Sequence, residues 1–359
     1  MKYKLFIGKI SGIKIFVHWT FALLIAYVVY NDIKAGLGTT EILWSVAFIF
    51  ALFGCVTLHE LGHSLTAQRY HIKTRDITLL PIGGVASLEA IPEKPKEELL
   101  ITLAGPLVNV AIALILLPFV HWPDTTEALQ ELSNVNGNNF IMSLLSVNVT
   151  LAVFNMIPAF PMDGGRILRA LLAYKLDRVK ATRIAAGIGQ AVAVVFVILG
   201  FYGNPFLVFI GIFIFLGAQG EARYAAGRAL VKGVTLKQVM MREIPALESH
   251  LTIRDAAQQL LQGQNKNFIV LTNNNPVGTL THSDIIKALG EQGENALVEN
   301  AMDKELISLP ADTSLEDGLK QLQLSRKPLA LVTHQGSMIG IVDAQNIAEF
   351  LLIKQAQKN

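Results

Sequence analysis

Long runs of apolar residues dominate roughly the first 220 positions of the chain, and shorter alternating patterns replace them afterwards. A helix needs about 20 mostly apolar residues to cross a bilayer, and six stretches approach that length. They are, in chain order, 14–30, 42–66, 99–120, 139–160, 185–203 and 205–221. The pattern predicts an α-helical polytopic membrane domain of about six transmembrane helices over residues 1–225, with the lipid bilayer as a partner.

Composition agrees with this pattern. Hydrophobic residues make up 52% of the chain and charged residues only 16%, whereas a soluble globular chain is about 25% charged. The formal net charge of +2 gives no indication of nucleic-acid binding, and we expect no nucleic-acid partner. The chain has one cysteine, Cys55, so no internal disulfide can form.

Basic residues cluster on alternate sides of the apolar stretches. Lysine and arginine are frequent in segments 2–14, 67–98, 166–183 and 223–232, whereas segment 121–138 has none. Cytoplasmic loops of membrane proteins carry an excess of these residues. The charges therefore predict that both termini lie in the cytosol, as an even number of spans also requires.

The second apolar stretch carries the sequence His-Glu-Leu-Gly-His at positions 59–63. Residues four apart lie on one face of a helix, so His59 and His63 can reach a single Zn²⁺. Glu60 then lies beside them and can take a proton from water. Ionisable residues inside an apolar span are costly and mark functional sites. The alternative is a set of polar residues hydrogen-bonded between packed helices.

A catalytic zinc ion takes three protein ligands, and two histidines supply only two. The end of the fourth stretch reads Asn155-Met-Ile-Pro-Ala-Phe-Pro-Met-Asp163-Gly-Gly. Its prolines break the helix and place Asp163 at a depth close to both histidines, where it is the candidate third ligand. Asp163 could instead be the N-cap of a helix over 164–174. Cys55, one turn before His59, is either a packing residue or a further ligand.

These paired motifs resemble those of the site-2 protease family of intramembrane zinc metalloproteases. The resemblance covers about residues 1–225 and implies that His59, His63 and Asp163 bind zinc while Glu60 acts as the catalytic base. It also implies an integral, multi-pass protein of a prokaryotic cell membrane. Three further residues match family elements near the active site: Gly105 and Asn109 of the GxxxN element, and Asn155. The resemblance implies that Asn155 would help to orient substrate or stabilise the oxyanion.

Residues 76–89 contain two short apolar runs on either side of Pro-Ile-Gly-Gly. This pattern predicts a β-hairpin that dips toward the membrane. A transmembrane helix hides its amides in internal hydrogen bonds, so a protease must bind the substrate in an unwound form. An exposed strand edge within 77–88 could pair with that unwound segment. The alternative is a purely structural loop.

Residues 233–359 contain an internal repeat. Gly278 aligns with Gly340, and Asp255 with Asp317, in both cases 62 positions further along the chain. Each copy has an extended start, an amphipathic helix, two apolar strands and a second helix. Repeated units of this kind stack to share a core. We place the two copies at about 233–292 and 296–355, after a linker over 226–232.

The repeat resembles an α/β tandem CBS domain, or Bateman module, a family that binds adenine nucleotides such as ATP, ADP or AMP. In its Gly-h-h-Thr/Ser-x-x-Asp element, where h is hydrophobic, Thr281 and Asp284 would hold the ribose. The second copy has Asp343 and Asn346 at those positions, so the resemblance implies one nucleotide site rather than two. The alternative is a pair that only forms a homodimer or docks a partner.

Together these features predict an intramembrane zinc metalloprotease that hydrolyses peptide bonds of membrane-associated proteins within or near their membrane segments. Its regulation would pass through the cytosolic CBS domains. The competing hypothesis is a membrane transporter or channel gated by a CBS pair, which gives no reason for the His-Glu-Leu-Gly-His motif or Asp163. A third alternative, an inactive homologue, is disfavoured because the motif residues are intact.

Overall fold

A computed structural model of the chain describes residues 4–81, 83–89, 92, 94–120, 135–263 and 266–357. The contacts within it divide the chain into two compact units, Met1–Ala225 and Ala226–Asn359. Most of the 121–138 segment, which contributed to the predicted orientation, lies outside the described residues.

The first unit is mainly helical. Among the residues that the structure describes, four helices are long and apolar enough to cross a membrane: Thr39–Arg69, Pro95–Phe119, Arg178–Tyr202 and Phe206–Val231. A fifth apolar helix, α4, has 16 residues. The helical bounds are α1 Phe21–Lys34, α2 Thr39–Arg69, α3 Pro95–Leu116, α4 Phe140–Asn155, α5 Asp163–Leu172, α6 Arg178–Tyr202 and α7 Phe206–Val231. Residues 226–231, which we expected to be a linker, are the last turns of α7.

The predicted start of the first span at residue 14 is wrong. Residues 13–18 form a strand, and the helix that follows, α1, has only 14 residues, or about 21 Å of length. The reason is a long-range pairing, because this strand lies parallel to another strand from the 71–80 region. Four helices in the described part of the chain have membrane-crossing length, so the count of about six spans stays a prediction.

A four-stranded sheet accompanies the helices of the first unit. Its strands are β1 Lys4–Ile10, β2 Ile13–His18, β3 Thr74–Leu80 and β4 Gly83–Leu88, in that spatial order. The hairpin predicted within 76–89 is confirmed, since β3 and β4 are antiparallel. Strands β1 and β4 are the two edges of the sheet. Ile13, Ile77 and Leu79 bury one face of the sheet against Phe21 and Phe53 of α1 and α2.

The second unit contains two copies of one fold. Each has a three-stranded sheet whose outer short strand is parallel to the central one and whose other pair is a hairpin. The strands are β5 Ala246–Glu248, β6 Asn267–Thr272 and β7 Asn275–Thr281, then β8 Ser308–Pro310, β9 Leu329–His334 and β10 Ser337–Asp343. The helices are α8 Leu236–Val239, α9 Ile253–Gln262, α10 His282–Glu291, α11 Val298–Ala301, α12 Leu315–Ser325 and α13 Ala344–Ala356.

The two copies pack on each other through apolar residues of their sheets. Ile269 of the first copy and Leu329, Leu331 and Ile341 of the second form one buried cluster. A polar contact also joins the copies: Asn267 donates to Asp343 at 3.0 Å. Within the second copy, Lys327 donates to Asp303 at 2.7 Å, and this hydrogen bond holds the pKa of the Asp303 carboxyl below its ordinary value. The repeated units therefore share a core, as the repeat predicted.

Candidate metal centre

Two histidines and an aspartate converge in the interior of the first unit. His59 and His63 lie one turn apart on α2, and Asp163 is the first residue of α5. The two Nε2 atoms are 3.1 Å apart, and Oδ2 of Asp163 lies 3.2 Å from that of His59 and 3.0 Å from that of His63. All three residues are buried. The residues predicted as ligands thus form a group that could share one metal ion.

The other nitrogen of each imidazole ring has its own buried partner. Nδ1 of His63 donates to the main-chain carbonyl of Ile101 at 2.8 Å. Nδ1 of His59 lies 2.5 Å from Oδ1 of Asn109. Both partners are on α3, and outer partners of this kind fix the orientation and tautomer of metal-binding histidines. Each ring therefore presents Nε2 toward Asp163.

The geometry of this group fits zinc. Two atoms about 2.1 Å from one tetrahedral ion lie about 3.4 Å from each other, and the three separations here are close to that value. A neutral imidazole that donates through Nδ1 carries a bare lone pair on Nε2. Two such lone pairs and a carboxylate oxygen face one another here, and a cation held between them would relieve their repulsion. Two imidazoles and one carboxylate also match the donor set of known catalytic zinc sites.

The segment between α4 and α5 brings Asp163 to the histidines by a tight path. A Cβ atom on Gly164 would lie 2.5 Å from the carbonyl carbon of Ile157, and one on Gly165 would lie 2.6 Å from that of Ala159. Only glycine permits so close a backbone approach. The N-cap of α5 is Met162, so the alternative that Asp163 caps a helix over 164–174 is wrong.

Glu60 lies between the histidines and the edge strand β4. Its side chain packs against the backbone of Gly84, where an added Cβ would lie 2.6 Å from Cγ and 3.3 Å from Oε1 of Glu60. The predicted base therefore adjoins both the metal group and the strand that we considered for substrate binding. This arrangement can deliver a proton acceptor to a peptide bond held along β4.

The other predicted residues differ in whether they contact the histidines. Gly105 and Asn109 lie on α3 against the histidines, and an added Cβ on Gly105 would be 2.8 Å from Cε1 of His59. Asn155 is the last residue of α4 and is half-buried. Among the described residues its side chain makes no hydrogen bond, which leaves its amide available. Cys55 is buried and accepts a hydrogen bond from Asn148 at 3.4 Å.

Two features of the site were missed by sequence reasoning. Asn148 of α4 is fully buried and accepts a hydrogen bond from Asn109. Its signal was an amide in the middle of an apolar span, which is a costly position. The second feature is a buried ionic network in which Arg169 pairs with Glu98 and Glu221. Those charges lie at the ends of apolar stretches, where the sequence does not distinguish them from ordinary flanking residues.

In the second unit the predicted nucleotide residues already bond to each other. Thr281 is the N-cap of α10, and its hydroxyl accepts from the backbone N–H of Asp284 while the Asp284 carboxylate accepts from Thr281. Thr252 and Asp255 make the same reciprocal bonds at the start of α9. This capping box stabilises the helix without a ligand, and one carboxylate oxygen of Asp284 remains outside these bonds.

Comparison with known proteins adds to this geometry. Residues 47–134 and 119–199 match Peptidase family M50, and residues 236–291 and 298–353 each match the CBS domain. A zinc metalloprotease of Methanocaldococcus jannaschii is 33% identical to the chain over 359 residues, covering 100% of this chain and 99% of that protein. The chain belongs to peptidase family M50, the site-2 proteases. It is a metalloendopeptidase of this type with a C-terminal tandem CBS pair.

A further relative aligns along most of the chain. Rip3 of Mycobacterium tuberculosis is 26% identical over 376 residues, covering 96% of this chain and 92% of that protein. A solved structure, a site-2 protease from Methanocaldococcus jannaschii, shares 41% identity with the chain. The alignment covers 62% of this chain and 96% of the chain in that structure, with a TM-score of 0.46.

Proposed function

We propose that this M50 protease hydrolyses peptide bonds of membrane-associated proteins within or near their membrane segments. His59, His63 and Asp163 would hold one zinc ion, and Glu60 would be the catalytic base. The observation that carries this proposal is the convergence of two Nε2 atoms and one carboxylate oxygen within 3.2 Å of one another, with both Nδ1 atoms already engaged elsewhere. The CBS-gated transporter or channel offers no use for this donor set.

Each residue of the site has a defined task in this proposal. A bound zinc ion supplies a Lewis acid that polarises a carbonyl and acidifies water. Glu60 accepts the proton of the attacking water at its carboxylate and later delivers it to the leaving amine. The Asn155 amide, at the end of α4, makes no hydrogen bond to the described part of the chain and would donate to the developing oxyanion. Burial among apolar helices strengthens these electrostatic contributions.

The substrate would bind as an additional strand beside β4. This strand is an edge of the sheet, and a Cβ added to Gly84 would lie 2.6 Å from Cγ of Glu60. An unwound segment paired to β4 would gain main-chain hydrogen bonds in place of those it loses from its own helix. Proline substitutions along 77–88 test this, because each removes a backbone donor. Cleavage that continues unchanged in all of them would exclude strand pairing.

For the membrane arrangement we propose about six crossings and cytoplasmic N- and C-termini in a prokaryotic cell membrane. Support comes from the four membrane-length helices, the shorter α4, and the distribution of lysine and arginine. Helix α1 would complete the set with a shorter crossing. Reporter fusions at the two termini and at residue 36 would test the orientation, with cytoplasmic signals expected at the termini and an external signal at residue 36.

For regulation we propose that the CBS pair binds one adenine nucleotide, ATP, ADP or AMP, at the first copy and forms a homodimer. Asp284 keeps one carboxylate oxygen outside its capping bonds, whereas the second copy has Asn346 at that position. Asp343, which stands at the position of Thr281, accepts from Asn267. This difference supports one site rather than two. Size measurement of the purified protein tests the dimer.

Comparing peptides from native cells tests the proposed activity. Membrane and cytosolic fractions of cells with the wild-type protein are compared with those carrying Glu60→Gln. New N-termini near membrane segments, present only with the wild type, would establish proteolysis and name the substrates. Identical peptides under several growth conditions would contradict it.

A further inference from the structure

A chain of buried hydrogen bonds links α2, α3 and α4 behind the metal group. Oδ1 of Asn109 lies 2.5 Å from Nδ1 of His59, and Nδ2 of Asn109 donates to Oδ1 of Asn148 at 2.9 Å. Nδ2 of Asn148 donates to the main-chain carbonyl of Leu144 at 2.8 Å and to Sγ of Cys55 at 3.4 Å. Asn109 and Asn148 have no exposed surface.

The donor and acceptor of every hydrogen bond in this series follow from its last group, the main-chain carbonyl of Leu144. A main-chain carbonyl can only accept, so the group that Asn148 presents to Leu144 must be the NH₂. Its oxygen then faces Asn109, which must donate through its own NH₂ and turn its oxygen toward His59. Nδ1 of His59 must therefore carry the proton. The proton-free nitrogen of the neutral ring is Nε2, which faces His63 and Asp163.

We propose that Asn148 is a positioning residue that, through Asn109, fixes the tautomer and orientation of His59 for metal binding. The inference rests on the proposed role of His59 as a ligand. His63 receives the same constraint directly from the carbonyl of Ile101. For His59 the fixed acceptor is the carbonyl of Leu144. It is linked to the ring through the side chains of Asn148 and Asn109, and it sets the direction of each hydrogen bond between them.

The cost of placing Asn148 here supports a specific role. Helix α4 is otherwise strongly apolar, and a buried amide in such a helix is unfavourable unless all its groups are bonded. The described structure satisfies both its donor and its acceptor. An apolar residue of the same size would pack at this position at lower cost. An apolar residue could not, however, determine whether the oxygen or the NH₂ group of Asn109 faces His59.

Two variants of nearly the same shape distinguish the hydrogen bonds of Asn148 from its packing. In Asn148→Thr the hydroxyl can donate to the carbonyl of Leu144 and accept from Asn109, so the direction of the chain is kept. Thr57 already makes this bond four residues back on α2, to Phe53 at 2.7 Å. Asn148→Val has nearly the same shape and no hydrogen-bonding group. Ser143→Ala is the matched control, because Ser143 is a buried polar residue of α4 outside the chain of bonds.

The test measures zinc affinity of the full-length protein in detergent by competition with a chelator. Removal of an outer partner typically costs about 10–100-fold in metal affinity. We expect that loss in Asn148→Val, retention of most affinity in Asn148→Thr, and wild-type affinity in Ser143→Ala. Equal affinities in the threonine and valine variants would overturn the role of Asn148 while leaving the metal site in place. Wild-type affinity in His59→Ala would overturn the ligand assignment and the positioning role together.

A second measurement determines the tautomer of His59 in the wild-type protein itself. Nitrogen-15 chemical shifts of labelled histidine distinguish protonated from bare ring nitrogens, and His59→Gln identifies the signal. In zinc-free wild-type protein at mildly alkaline pH we expect a proton on Nδ1 of His59 and none on Nε2. A proton on Nε2 would overturn the proposal.

Discussion

Gly105 of α3 lies directly against the imidazole of His63. A methyl group added at this position would overlap Nε2 of His63 and would lie 2.8 Å from Cε1 of His59. The family element that contains Gly105 therefore has a steric role here, because it allows α3 to approach the metal group.

From this contact we expect Gly105→Ala to displace both imidazoles and to abolish stoichiometric zinc binding. The measurement is zinc content of the purified protein. Gly187→Ala is the control, since an added Cβ on that α6 residue has no neighbour within 4 Å. Zinc content in Gly105→Ala equal to that of the control would show that the group does not hold the metal in this geometry.

At Gly84, a methyl group should affect catalysis without removing the metal. The added Cβ would press on Cγ of Glu60, 2.6 Å away, and push the carboxylate from its position. We expect Gly84→Ala to lower substrate cleavage severalfold with zinc content unchanged. Gly8→Ala in β1 of the same sheet meets open space and serves as control. A loss of zinc in Gly84→Ala would mean that β4 supports the ligands rather than the base.

The buried ionic network should contribute strongly to stability. Glu98, 3% exposed, accepts from Nε of Arg169 at 2.8 Å and pairs with Arg178 at 3.0 Å. Removing one partner leaves an uncompensated buried charge, which typically costs about 3–5 kcal/mol. Arg169 belongs to α5, whose first residue is Asp163, so we also expect zinc to be held less tightly.

Thermal unfolding in detergent would show this loss as a lower midpoint for Glu98→Ala. The neighbouring Glu97 is half-buried and pairs with Lys94, whose side chain is 79% exposed, and such surface pairs contribute about 0–1 kcal/mol, so Glu97→Ala is the control. Equal midpoints for the two variants would contradict a structural role for the network.

Two aspartates with the same capping geometry can separate nucleotide binding from helix capping. Each aspartate is the third residue of its helix and supplies one half of a capping box, so Asp284→Ala and Asp255→Ala should both lower the thermal midpoint slightly. Only Asp284→Ala should remove the stabilisation that AMP, ADP or ATP gives to the full-length protein. Without any nucleotide-dependent shift in the wild type, the CBS pair would act in dimer formation or docking alone.

The sequence predicted those elements whose pattern is local. The i, i+4 spacing of His59 and His63, the helix break before Asp163, and the 62-residue repeat are all visible along the chain. The hairpin formed by β3 and β4 was also predicted, because its turn and flanking apolar runs are contiguous.

What could not be predicted depends on pairings between distant segments. Residues 13–18 read as the start of an apolar span but pair with β3, about 60 residues later, so the first helix begins further along. Asn148 reads as an isolated amide, and its function emerges only where α4 meets Asn109. For the same reason the sequence did not show that Glu98, Arg169 and Glu221 meet.

The most direct test of the account is a zinc X-ray absorption spectrum of the purified full-length protein. We predict a first shell of nitrogen and oxygen atoms only, with outer scattering from two imidazole rings, and loss of that signature in His63→Ala. A sulfur atom in the first shell would identify Cys55 as a ligand and contradict the His59–His63–Asp163 site, as would an unchanged spectrum in His63→Ala.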